Sequence, residues 1–207
     1  MRRLAALSIL VLGFGVGLAG SAHANAFGQH RPAHPIPGGN NMLGVYLLLG
    51  DQVDDVGLLG QVRFTSSSSF DWGLQLGFAD AGDGAALIGA DIRPILKRAD
   101  SEFPLDLAFD AGIGLLIADE VTVLSIVPTL EASHRFELEG SDGALSPYGS
   151  LGLNINNVSV DGGDDDTDVD VIARFGLEWE ATRKLQLIAE IGVGNGTDFT
   201  LGANIPF

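Results

Sequence analysis

The stretch Phe199-Thr200-Leu201-Gly202-Ala203-Asn204-Ile205-Pro206-Phe207 places five apolar residues at alternate positions, with Thr200, Gly202, Asn204 and Pro206 between them. A repeat of two is the side-chain period of a β-strand, so this segment reads as a strand with one oily face that ends on an aromatic residue. Working back from it, the same alternation recurs nine times. Phe70 to Ala79 is the cleanest case, with Phe70, Trp72, Leu74, Leu76 and Phe78 set against Asp71, Gly73, Gln75, Gly77 and Ala79. The other eight strands are expected at Met42–Leu49, Val56–Thr65, Ala86–Arg93, Leu105–Leu115, Val121–Glu137, Tyr148–Asn156, Val169–Glu180 and Leu185–Gly194. Pro128 lies inside the sixth strand, and because proline cannot donate to the ladder a bulge or local break is expected there.

At the other end of the chain Arg2 and Arg3 precede an apolar run from Leu4 to Leu18, followed by Ala22-His23-Ala24. That order is a secretory signal peptide, with cleavage expected after Ala24 or Ala26. Residues 1–24 are therefore set apart as the signal, 25–40 as a Pro-rich periplasmic arm read as an extended spacer, and 41–207 as one barrel domain. The barrel segment offers no run of about 18 apolar residues for a membrane helix.

Charge and composition narrow the function. The chain carries 27 acidic against 11 basic residues, a net charge of −16, and no cysteine. This excludes disulfides, thiolate catalysis and thiolate metal sites, and it disfavours nucleic acid as a partner, since phosphates would be repelled.

Ten strands with uninterrupted apolar faces of four to six residues suit an all-β, closed antiparallel up-and-down transmembrane barrel. Eight strands is the alternative. A soluble lipocalin-like barrel is the competing fold, but the many glycines on the polar faces fit a narrow interior better than a solvated strand. An even strand count puts both termini on the periplasmic side. The outer loops are then 51–55, 80–84, 118–120, 159–168 and 195–198, and they hold thirteen acidic residues with no Lys or Arg. Lys97, Arg98, Arg183 and Lys184 fall in the inward turns 97–103 and 181–184; the remaining inward turns are 66–69 and 139–144.

In its signal peptide, its ten amphipathic strands and its C-terminal strand ending in Phe207, the chain resembles small Gram-negative outer-membrane β-barrels of the broad OmpA/OmpX/OmpW-like kind. The resemblance covers residues 41–207. It implies an outer-membrane location, contact with lipopolysaccharide, and Phe199, Leu201, Ala203, Ile205 and Phe207 as the signal read by the barrel-assembly machinery. It implies no particular activity.

Parity places a charge set in the lumen: Arg63, Arg93, Arg135 and Arg174 with Asp71, Asp91, Asp106, Asp110, Glu131, Asp170, Glu178 and Glu190. Hairpin registers set Arg174 across from Glu190 and Arg93 near Asp106. Such a set either locks a narrow interior or lines a cation path. The acidic loop residues Asp161, Asp164, Asp165, Asp166 and Asp168 are candidates for Ca²⁺ or Mg²⁺, bridging to lipopolysaccharide phosphates. No other cofactor is expected, and a monomer is the default. Ser133 and His134 are neighbours on a strand and so point to opposite faces, which argues against a nucleophile–base pair and against an enzyme. The function expected is structural or that of a narrow, cation-preferring passive channel. A surface adhesive protein and an outer-leaflet lipid hydrolase are the alternatives.

Overall fold

The computed structural model describes residues 30–36, 40–50, 55–80, 84–119, 121–138, 143–162, 165–194 and 196–207. They form one antiparallel sheet closed on itself. Its segments are β1 (Met42–Gly50), β2 (Asp55–Ser67), β3 (Phe70–Ala79), β4 (Ala85–Lys97), β5 (Asp106–Ile117), β6 (Val121–Ser133), β7 (Phe136–Glu137), β8 (Ala144–Val160), β9 (Asp166–Thr182), β10 (Leu185–Gly194) and β11 (Gly196–Pro206). Each strand pairs with the next in sequence except β6 with β7, both of which pair with β8; β1 also pairs with β11, which completes the circle. The two-residue β7 continues the β6 stave after a break at His134 and Arg135, so the barrel has ten staves.

The terminal strand that decides the fold also closes it. Leu43↔Ile205, Leu47↔Leu201 and Leu49↔Phe199 are cross-strand pairs, and Asn41 and Phe207 exchange backbone hydrogen bonds of 3.0 and 2.9 Å beyond them. Of the bulge or local break expected at Pro128, the structure has the local break. Pro128 pairs with Ala111 of β5, and the ladder toward β8 only lapses at Val127 and Pro128 before resuming in the same register. An unbulged strand tolerates the proline because one missing donor interrupts one ladder locally. The register shifts that do occur, at Thr65/Ser67, Ile95/Lys97 and Leu185/Gln186, all lie at the rim that carries the chain termini.

The opposite, hairpin rim carries the tightest turn. Gly194 pairs with Gly196 across one residue, and Gly196 has φ +110, a conformation that favours glycine. Two expected loops are shorter than the sequence suggests. The strands β8 and β9 run on to Val160 and from Asp166, and β11 starts at Gly196, so Asp198 belongs to a strand and is buried.

Faces follow parity. Leu74, Leu76, Phe78, Ile88, Leu151, Val171 and Phe175 project outward, with Leu76 at 67% and Leu151 at 62% exposure, while Arg63 and Arg93 point inward at 0%. The inner face is layered. Toward the hairpin rim Leu48, Leu59, Leu87, Leu116 and Val123 pack together in an apolar layer, and toward the terminal rim the interior is charged.

Candidate functional site in the barrel lumen

The charged layer is built on Asp71 of β3. Arg93 of β4 is its cross-strand partner and donates to it through Nη2 (2.7 Å) and Nε (3.2 Å). Arg63 of β2 donates to the same carboxylate through Nη2 (2.6 Å) and reaches Asp91 through Nη2 (2.6 Å) and Nη1 (3.1 Å). Gly73 makes room for this fork, since a β-carbon there would sit 2.9 Å from Arg63 Nη1 and 2.8 Å from Asp91 Oδ1. Buried charges must be paired in this way, because an isolated one costs several kcal/mol.

A third arginine enters this cluster from outside the strands. Residues 30–36, expected to be an extended spacer, lie inside the barrel, with His30, Arg31, Ala33, His34 and Ile36 buried. Arg31 Nη1 is 3.4 Å from Asp71 Oδ2, and Arg93 Nη1 donates to the Pro32 carbonyl at 2.7 Å. Arg31 Nη2 donates to His34 O at 2.9 Å, which folds the arm back on itself. His30 Nδ1 meets Glu190 Oε1 at 3.0 Å and its ring lies 4.7 Å from that of Tyr46. The Tyr148 hydroxyl donates to the other Glu190 oxygen at 2.9 Å, and the Tyr46 hydroxyl donates to Asn204 Oδ1 at 2.5 Å. Both tyrosine rings lie across glycines: a β-carbon at Gly176 would run into Tyr148, and one at Gly202 into Tyr46. The luminal glycines thus accommodate flat rings and a guanidinium.

Two expected pairs are corrected. Arg174 faces Gly192, and Glu190 faces Gly176, so their contact is diagonal and 3.8 Å long. Arg93 bonds Asp71 and the arm, with Glu131 at 3.6 Å, whereas Asp106 accepts from the Ala99 backbone N–H. Asp110, Glu131 and Glu178 are inward and buried as expected, while Asp170 is half-buried.

Arg135 lies at the terminal rim, where it holds Glu180 through Nε and Nη2, both at 2.9 Å, and Glu137 at 3.0 Å. Hydrogen bonding to Glu180 raises its pKa further. Counted among the described residues, the interior holds nine buried carboxylates against four buried arginines, so the excess is negative.

Among the described residues, Asp161, Asp165, Asp166 and Asp168 do not form a three-ligand cluster; Asp164 lies outside the described residues. Asp165 accepts from Ser159 Oγ at 2.7 Å, and Asp166 and Asp168 accept from the backbone N–H of Thr167 and Val169. Ser133 is buried in the lumen, while His134 packs on Phe136 and contacts the Pro104 carbonyl, so the two do not meet. Of the terminal-strand set, Phe199, Leu201, Ile205 and Phe207 project outward, with Ala203 half-buried among them.

The arm has no local periodicity to announce its place. The apolar layer did leave a signal, because adjacent apolar residues at Leu47-Leu48-Leu49, Leu58-Leu59, Leu87-Ile88 and Leu115-Leu116 mark heights where both faces of a strand are apolar.

A closed sheet with aliphatic and aromatic side chains outside and paired charges inside satisfies its backbone internally and offers lipid an apolar wall, which defines a transmembrane β-barrel of the outer-membrane kind. No protein-family model and no curated protein matches the chain. Among solved structures it is similar to a bacterial polysaccharide outer membrane secretin (14% identity, 81% of this chain and 65% of that one, TM-score 0.48). It is also similar to the KdgM porin (10%, 80% and 99%, 0.46) and to Omp33 of Acinetobacter baumannii (7%, 81% and 98%, 0.42). The chain thus spans just under two thirds of the secretin's length.

Proposed function

We propose that this protein is a monomeric, non-enzymatic outer-membrane barrel whose resting lumen is closed by its own N-terminal arm, and that it conducts small cations passively when the arm withdraws. The observation that carries this reading is the burial of residues 30–36 inside the barrel, held by Asp71, Arg93 and Glu190. Such a plug of polar contacts can leave without unfolding the wall, since the strand ladder does not pass through it. The negative excess in the interior supports cation preference, because a narrow path lined by carboxylates concentrates cations. The apolar layer above it is a second barrier, of the kind that excludes ions by dewetting.

Planar-bilayer recording under a KCl gradient tests this. The full chain is expected to be silent or to open rarely. A variant lacking residues 30–36 and carrying Leu59→Ser and Leu87→Ser is expected to show discrete steps with a cation-selective reversal potential. A steadily open full chain, or a folded but silent or anion-selective variant, contradicts the proposal; silence of the variant leaves a structural role for the barrel. Within the same reading Phe199, Leu201, Ala203, Ile205 and Phe207 serve as the assembly signal, and the acidic rim takes Ca²⁺ or Mg²⁺ that bridges to lipopolysaccharide. Retention of the exposed Asp165 and Asp166 at the hairpin rim supports that bridging, with the cation shared between protein and lipid phosphate.

A further inference from the structure

His34, Glu178 and Glu180 bring one nitrogen and two carboxylate oxygens within 4.8 Å of one another, all three residues being buried. Of the three side chains the network already described engages only Glu180; Glu178 is 0% exposed, and neither of its carboxylate oxygens has a hydrogen-bond partner. Its cross-strand neighbour Ser146 is also fully buried with its hydroxyl unpartnered. A bare carboxylate enclosed in this way is costly unless a cation stands beside it or it takes up a proton.

The imidazole turns its Nε2 toward the site. His34 Nδ1 lies 3.0 Å from the Pro35 carbonyl, which can only accept, so Nδ1 carries the proton. In the neutral ring Nε2 then presents a lone pair, and it lies 3.2 Å from Glu178 Oε1 without forming a hydrogen bond. Two lone pairs facing each other repel unless a cation, either a proton or a metal ion, stands between them. Ligands about 2.1 Å from a metal, subtending roughly 90 to 110°, lie about 3.0 to 3.4 Å apart, which matches His34 Nε2 and Glu178 Oε1; the Glu180 oxygen lies within 4.8 Å of both. Glu180 is fixed by the Arg135 fork, and that fork uses one lone pair of each oxygen and leaves the others available.

We infer that His34, Glu178 and Glu180 bind a divalent transition metal of the zinc type, which staples the N-terminal arm to the wall of the barrel. One imidazole with two carboxylates suits such an ion, and a fourth position falls to water. The inference rests on the seating of the arm proposed above and adds a specific ligand to it.

Calorimetric titration of ZnCl₂ into the full chain, refolded in detergent and dialysed against EDTA, tests it. One site of micromolar affinity or better is expected, weakened at least ten-fold in both His34→Ala and the near-isosteric Glu178→Gln and unchanged in Asp166→Asn. Folding of each variant is checked by its gel mobility without heating. Absence of zinc binding overturns the inference, as does binding that survives both His34→Ala and Glu178→Gln, which assigns the ion to surface carboxylates. Seating of the arm is read separately in EDTA by a cysteine at Ala33: protection without zinc binding overturns the metal site alone, and free labelling overturns the arm and the site together.

Discussion

Replacing Asp71 by alanine removes the acceptor on which three guanidinium groups converge. Arg63 keeps its fork on Asp91 at 2.6 and 3.1 Å, and Arg31 keeps the His34 carbonyl at 2.9 Å. Arg93 loses the most, since its bidentate carboxylate goes and the Pro32 carbonyl at 2.7 Å, the His34 carbonyl at 3.4 Å and Glu131 at 3.6 Å remain to it. The cost is therefore that of breaking one buried pair, about 3 to 5 kcal/mol. Asp71→Asn keeps one oxygen, and a hydrogen bond from a charged donor returns about 1.5 to 3 kcal/mol, so its net cost is roughly 2 kcal/mol. Reversible urea unfolding in lipid vesicles, followed by the fluorescence of Trp72 and Trp179, measures both. A loss below about 1 kcal/mol for Asp71→Ala would show that water, not this network, solvates the guanidiniums, and the account of the lumen would fail.

The glycine beneath Tyr148 is expected to be needed: Gly176→Ala pushes the ring off its seat and away from Glu190, costing about 1 to 3 kcal/mol in the same unfolding assay, and a neutral result would refute the packing. Leu76→Arg on the outward face is expected to cost about 2 to 4 kcal/mol in bilayers and far less in solvating detergent; equal costs would argue against a lipid-facing wall. In the 97–103 turn, the hydrogen bond from Lys97, supported by the Phe103 and Glu102 backbone, pushes Asp100 down to about 2 from an ordinary 3.8. Its contribution is thus present above about pH 4 and lost as pH falls through about 2, and a carboxyl NMR midpoint at the ordinary value would contradict the contact.

The wall of the barrel was legible because a strand repeats every two residues, so Phe70 to Ala79 or Phe199 to Phe207 declares its faces without reference to anything distant. The luminal arginines and carboxylates followed from the same parity. Their partners did not, since pairing depends on side-chain reach as well as register: Arg93 faces Asp71 while Asp106 accepts from the Ala99 backbone, and Arg135 is drawn to the rim by Glu180. The arm was illegible for a different reason. His30 meets Glu190 across 160 positions of sequence, and a Pro-rich segment reads as a spacer until the cavity that receives it is known. At Pro128 the local break was legible and the bulge did not form, because a proline removes one donor without inserting a residue.

Chemical accessibility of the arm tests the central claim most directly. The chain has no cysteine, so Ala33→Cys introduces a unique thiol at a position with 0% exposure. In the full chain, refolded into vesicles, reaction with a hydrophilic maleimide is expected to be slowed at least a hundred-fold relative to the urea-unfolded protein, and to accelerate in Arg93→Met, which frees Pro32. Labelling of the folded chain as fast as the unfolded one would place the arm outside the lumen and remove the basis for the closed barrel proposed here.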